Sequence, residues 1–455
     1  MNNLTSLQRK LVYLGGIILL LIPITWLGRP PEPSAGGRIE PGSGGTLAQE
    51  RARHQLGESN LGEVDPASST MNLLLLGFRG IATSVLWMDA QTQQRAKDWS
   101  ALRATTDSII LLQPHFLKVW HFQGWNLAYN VSSEWDLVTD RYYWVKEGIK
   151  FFIRGKNRNE KYPELYWYTG DTMGKKIGRS DEWDQFRVFF RKDPDEKFTG
   201  PDPEINPEAK DNYLVAKTWF TEANRILDTP PFNKEHIMAE VLFRQYPIRA
   251  QMDYATALQR EGIFDEVVRV AWDEAFREWT EEYGTQSFET IPGIFIKLEA
   301  SEEDLAQIRK EDELIEDPGK KREGWLKRYQ DMTNYRFWRI RAKVESELTM
   351  ADAHRLIYEG EQLVREADYS IAREKLWDGM AKLEEMLNKY TELKDEDSTI
   401  EEGMLAQLFW RECLSIDGDT PDEEEGYPLQ EMWHARQNRV SNLRDDFNRR
   451  KRGVR

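Results

Sequence analysis

The side chains of this 455-residue chain that could do chemistry are six histidines, one cysteine and 78 carboxylates. His54, His115, His121, His236, His354 and His434 lack the spacing of a metal-ligand set, and His115 and His121 lie six apart across a predicted helix start. Each reads as a structural histidine. Cys413, within WRECLSI, falls on an apolar helical face and reads as a packed thiol rather than a nucleophile. Carboxylates are so frequent that a pair of them marks no acid–base site. The acidic loop DGDTPDEEEG, residues 417–426, departs from the calcium-loop pattern through Pro421 and the missing sixth-position glycine. Glycine-rich phosphate loops, HExxH, G-x-S-x-G and C-x-x-C motifs are absent from the sequence. The expectation is a binding protein without a cofactor or bound metal, not an enzyme.

Composition narrows the partners. A net charge of −16 repels phosphate backbones and argues against nucleic acid. The single cysteine excludes an internal disulfide framework. With 40% hydrophobic and 31% charged residues, but 17 tryptophans, the chain suits thin helical layers that expose much surface yet carry large anchors.

The stretch DWSALRATTDSIILLQPHFLKVWHFQGWNLAY, residues 98–129, predicts two helices broken at Gln113-Pro114, because proline lacks the N–H and disfavours a helical residue before it. Leu102, Thr105, Ile109 and Leu112 mark the inner face of the first helix. The second presents Trp120, Gly124 and Leu127 on one side, a large ring beside bare backbone where another helix can approach. Tyr166, Gly170 and Met173 repeat that spacing, the glycines 46 residues apart. These residues resemble the tetratricopeptide (TPR) repeat, with Trp120, Gly124 and Leu127 in its W-x2-L-G-x2-Y pattern, Pro114 at its closing proline and Gln123 where the pattern has leucine. The resemblance implies an all-α, TPR-like α-solenoid of antiparallel helical hairpins that binds other proteins. Gly262, between two helices, and Gly360, in the hairpin of residues 351–390, are further repeat positions; Phe264, Val267, Ala271 and Ala275 are expected to face inward, as are Ile371, Leu376 and Met380.

Upstream, residues 11–28 carry no charge, span about 27 Å as a helix and end near Tyr13 and Trp26, as an aromatic belt would require. Leu11, Ile17, Leu20 and Trp26 are the expected contacts of a single transmembrane anchor with the lipid bilayer; Arg9 and Lys10 favour a cytoplasmic N-terminus with the bulk extracytoplasmic. Residues 29–70 read as a flexible linker. Leu74, Phe78, Ile81, Val85 and Met88 form a stripe expected to pair with the residue-98 helix, although its amphipathicity would also suit a membrane-interface helix. The expected blocks are then 71–190, a linker at 191–211, a second helical block at 212–298 whose end, TIPGIFIKL, is an extended connector, a charged connector at 299–324, and a C-terminal block at 325–455. The basic cluster Arg449–Arg452 suits an acidic partner, anionic lipid or a helix C-terminus. Together these features lead to a membrane-anchored scaffold for a protein or peptide partner; a subunit of a membrane complex, or an enzyme or small-molecule binder with an aromatic groove near Trp125, Tyr129 and Trp167, is the alternative.

Overall fold

The computed structural model describes residues 78–229 and 238–453, together with positions 15, 16, 19, 23, 26, 45, 46, 49 and 50. Leu11, Ile17, Leu20, Leu74 and nearly all of the expected linker lie outside the described residues; Trp26 is helical and exposed. Among the described residues no helix is long and apolar enough to cross a membrane. The protein is all-α, 74% helical against roughly a third in ordinary domains. It divides into two compact units, residues 1–172 with 222–236, and residues 173–221 with 237–455.

In the first unit α1 (Arg79–Arg95) and α2 (Trp99–Leu112) form a hairpin. Lys97 takes a left-handed φ of 56°, and the Asp98 side chain accepts from the Ala101 N–H at 3.1 Å, which caps α2. Helix α2 ends at Gln113, before Pro114, as expected, and buries Leu102, Thr106, Ile109 and Leu112. Thr106, not Thr105, takes the inner position, its hydroxyl bonded back to the Leu102 carbonyl at 2.9 Å. The α1 stripe is a larger correction. Phe78, Ile81, Val85 and Met88 are 66%, 64%, 48% and 60% exposed, while Thr83 and Ala90 on the opposite side are buried. Periodicity located the stripe but could not say that the weaker face, with Leu86 and Trp87, meets the core.

Helix α3 (Leu117–Trp125) continues as a π-helical turn over Asn126–Val131, and α5 (Pro163–Asp171) does the same over Thr172–Lys176. Both starts and both π turns are 46 residues apart, Leu117 to Pro163 and Asn126 to Thr172. Between them α4 (Val138–Arg158) packs on α3 at very short range. A Cβ on Gly124 would lie 2.6 Å from the Phe152 ring, and one on Gly148 would lie 2.7 Å from the Gly124 carbonyl. Trp120 sits over Gly155.

The second unit carries α6 (Trp183–Arg191), most of α7 (Asn212–Leu227), α8 (Glu240–Arg244), and the hairpin of α9 (Tyr246–Arg260) and α10 (Glu266–Arg277). Gly262, at φ 84°, turns that hairpin, which is the left-handed conformation glycine adopts without strain. Ala271 and Ala275 face inward as expected, but Val267 is exposed and Val268 takes its place. Of the expected linker, Arg191 ends α6 and residues 192–211 are not helical, yet they are tied down: Asn206 Nδ2 donates to the Phe190 and Lys210 carbonyls at 3.0 and 2.9 Å.

The TIPGIFIKL segment is not isolated. Its β2 (Phe295–Ile296) pairs antiparallel with β1 (Phe288–Glu289), which the sequence did not announce because two residues are too few to show alternation.

Helix α11 (Glu302–Asp312), opened by a Ser301–Asp304 capping box, leads to α12 (Arg322–Thr333), α13 (Tyr335–Glu345), α14 (Leu348–Arg365), α15 (Tyr369–Lys389), α16 (Asp397–Asp417), α17 (Gln430–Ala435) and α18 (Val440–Lys451). The α14–α15 turn repeats that of α1–α2: Ala367 has φ 64° and Asp368 caps α15. A Cβ on Gly360 would lie 2.5 Å from Leu376, and one on Gly379 would meet Ile357. Ile371, expected inside, is 48% exposed, whereas Leu376 and Met380 are fully buried.

Gly124→Leu should therefore drive four carbons into Phe152 and lower stability by about 1 to 3 kcal/mol. Trp120→Ala should cost on the order of 3 to 5 kcal/mol, because it empties the space over Gly155. Chemical denaturation followed by circular dichroism reads both; an unchanged midpoint for either would show that α3 and α4 are not in this contact.

Candidate functional site

Helix α3 has two working edges. Trp120, Gln123, Gly124 and Leu127 are buried, and Trp120 Nε1 donates to the Pro114 carbonyl at 2.8 Å, so four of the repeat positions named from sequence come together. Forty-six residues on, the Tyr166 hydroxyl donates to the Glu160 carbonyl at 3.1 Å, again six residues back, and Gly170 is buried on the same helix. Trp325 Nε1 makes the same six-residue reach to the Gly319 carbonyl at 2.8 Å. These positions are structural.

The neighbouring edge carries His121 and Trp125 of α3 and Tyr129 of the π turn, four residues apart in one row. Trp125 is 41% exposed and stacks on Tyr129 at 5.5 Å between centroids, planes 16° apart. His121 lies on Tyr168 of α5 at 4.0 Å and 14°. Tyr168 in turn stacks at 5.8 Å on Phe152, the ring seated over Gly124, and meets Trp167 edge-on. The glycine that lets α4 approach thus sets the height of the aromatic row. Packing lowers the His121 pKa, so its imidazole is neutral at physiological pH and offers one donor and one acceptor. Burial and then the Asp171 carboxylate raise the Tyr129 pKa, so its hydroxyl keeps its proton. Two neighbouring helices therefore present stacked rings, a neutral imidazole and one carboxylate. This can hold a flat apolar or cationic side chain by stacking and cation–π contact.

A cavity of about 350 Å³ lies within the second unit, bordered by Arg260, Phe264, Arg341, His354, Tyr358 and Glu402 among others. Tyr358 reaches it over Gly262, where a Cβ would lie 2.4 Å from the tyrosine hydroxyl. His354 is pinned between carboxylates, Nδ1 at 2.5 Å from Glu402 and Nε2 at 3.0 Å from Glu345. Burial alone would lower its pKa, but Glu402 and Glu345 hold it well above the ordinary value. Burial alone would raise the Glu345 pKa; His354, Arg341 and Gln259 bring it down to about 2. With both ring nitrogens donating, His354 has no lone pair for a metal or a substrate proton. The ions at the cavity bind one another.

Other candidates are also occupied within the fold. His115 bonds Asn159 and His434 bonds Glu423; His54 and His236 lie outside the described residues. Cys413 is buried, and burial followed by the Glu412 charge pushes its thiol up to about 11. Arg450 pairs with Glu361 and Asp446, Arg449 with Asp446, and Lys451 with Glu412. Among the described residues no cluster of His, Cys, Asp and Glu has the arrangement of a metal site. No protein-family model, curated protein or solved structure matches the chain.

The His354 triad gives a pH signature. Its stabilisation by protonated His354 is complete below the unfolded value of 6.5 and is lost as pH rises through the raised folded pKa; that from Glu345 is complete above 4.5 and is lost as pH falls toward about 2. His354→Gln should cost about 3 kcal/mol near pH 6, by leaving buried carboxylates short of their cation. It should also flatten the alkaline decline of the unfolding midpoint, measured in urea across pH.

Proposed function

We propose that this chain is a membrane-tethered, TPR-like scaffold that grips a protein or peptide partner on the His121–Trp125–Tyr129 row, with Tyr168 as its neighbour. The pre-stacked pair of exposed Trp125 and half-buried Tyr129 supports this most directly. Tryptophan and tyrosine are the residues that anchor protein interfaces, and these two are held by packing before a partner arrives, so little ordering entropy is lost on binding. Recurrence of helix start, π turn and aromatic-to-carbonyl bond after 46 residues supports stacked repeats. The uncharged segment 11–28 would tether the scaffold, with its bulk extracytoplasmic.

Affinity capture of the full chain in mild detergent should identify the partner. Trp125→Ala should then weaken its binding by about 2 kcal/mol, near thirtyfold, with the melting temperature almost unchanged. Tyr129→Ala should behave similarly. Undiminished capture by both variants would remove this face from consideration.

A further inference from the structure

We infer that Arg249, with Arg341 beside it, is a binding site for a carboxylate group. The site lies within the second unit, whereas the aromatic row lies in the first.

Arg249 stands on α9, and its guanidinium carbon lies 3.3 Å from the centre of the Trp338 ring on α13. The guanidinium carbon of Arg341, three residues further along α13, lies 5.8 Å from the centre of the same ring. An aromatic ring satisfies the face of such a cation but none of its N–H groups. Among the described residues Arg249 makes no hydrogen bond and no ion pair: its Nη1 is buried without a partner, and its Nε and Nη2 are left to solvent. Asp253 stands four residues along α9, where an ion-pair partner on a helix surface belongs, but its carboxylate is held by Arg179 at 2.5 Å. Arg341 is better provided for, with the Ser398 hydroxyl at 2.8 Å and Glu396 and Glu345 at 3.5 and 3.7 Å, although its Nε is also buried without a hydrogen bond. Burial pulls the Arg249 pKa down to about 10; Asp253 opposes that shift, while Arg179 and Arg341 add their repulsion to it.

Elsewhere in the same unit an arginine on a ring is fully paired. Arg187 lies over Tyr213 at 5.3 Å and still donates to Glu261, Asn212 and Asp211. A chain with 78 carboxylates against 62 lysines and arginines has acids enough to supply Arg249 as well. Charge and shape select the ligand. Asp253 neutralises Arg179 and Glu396 neutralises Arg341, so Arg249 contributes one uncompensated positive charge, which a monoanion matches. The Nε–H and Nη2–H bonds of a guanidinium point the same way and form the fork that a carboxylate takes by two parallel hydrogen bonds. Beside a half-buried ring the local dielectric is below that of water, which strengthens both bonds.

The test follows trifluoroacetate by fluorine NMR with the full chain in mild detergent. Its line should broaden when the protein is added and sharpen again as acetate competes. Arg249→Met keeps a side chain of similar length against Trp338 but removes the charge and the fork, and should weaken binding by about tenfold or more, with the melting temperature unchanged because no ion pair is lost; Arg249→Lys, a charge without the fork, should weaken it about threefold. A line that stays sharp with the unaltered chain, or that broadens equally with both variants, overturns the site. A melting temperature lowered by Arg249→Met with the line unaffected also overturns it, because Arg249 would then serve packing alone. Displacement by inorganic phosphate at far lower concentration than by acetate overturns the choice of carboxylate. Displacement by N-acetyl-trialanine at far lower concentration than by acetate supports a carboxylate at the end of a peptide chain, and equal displacement by the two supports a small organic acid.

Discussion

The close approach of α3 and α4 is the constraint on which the first unit depends. Three glycines make it possible, and each does so against a different group: Gly124 admits the Phe152 ring, Gly148 admits the Gly124 carbonyl, and Gly155 admits the Trp120 indole. Dispersion between rings and backbone at this range is individually weak and collectively large, and it tolerates no added methyl. Phe152 then carries Tyr168, and Tyr168 carries His121, so a contact in the core fixes the position of groups on the surface. The second unit uses the same device with Tyr213 over Gly178, Tyr358 over Gly262 and Leu376 over Gly360.

Helices of the second unit also meet through networks of polar side chains. Arg187 is buried and donates to Glu261 at 2.7 Å, to Asn212 at 2.6 Å and to Asp211 at 2.8 Å. Lys217 reaches Gln251 at 2.9 Å, Glu274 at 3.0 Å and Glu278 at 2.6 Å. A buried charge lacking such partners would cost several kcal/mol, and these sets do for the hairpins of the second unit what the glycine contacts do without charge. At the cavity His354, Glu345 and Glu402 are likewise taken up by one another, which leaves none of the three poised to act on a bound molecule.

Helical hairpins were legible because 3.6-residue periodicity, Pro114 and the glycine spacings are local signals. The matching turns of α1–α2 and α14–α15 were legible too, had RAKDW (95–99) been set beside READY (365–369): arginine, a left-handed residue, an aspartate cap and an aromatic. Which face of α1 packs was not, since amphipathicity ranks the two sides by hydrophobicity and α1 is apolar on both. Networks such as Arg187 with Glu261, 74 residues apart, leave no local trace. The aromatic row at 121, 125 and 129 was half visible: Trp125 and Tyr129 stood out as aromatics, but His121 joined them only when Tyr168 was placed beneath it.

The π turns at Asn126–Val131 and Thr172–Lys176 hold one more residue than an α-helix of the same rise would need. That surplus residue is accommodated sideways, so the helical turns on either side keep their mutual orientation. Each wide turn is thus a slip joint in the chain. Loss of a single residue there would restore an ordinary helix without exchanging inner and outer faces, whereas the same deletion just before Trp120 in α3 would carry Trp120 out of the core and His121 into it. Length can drift at these two places without turning the packed faces outward.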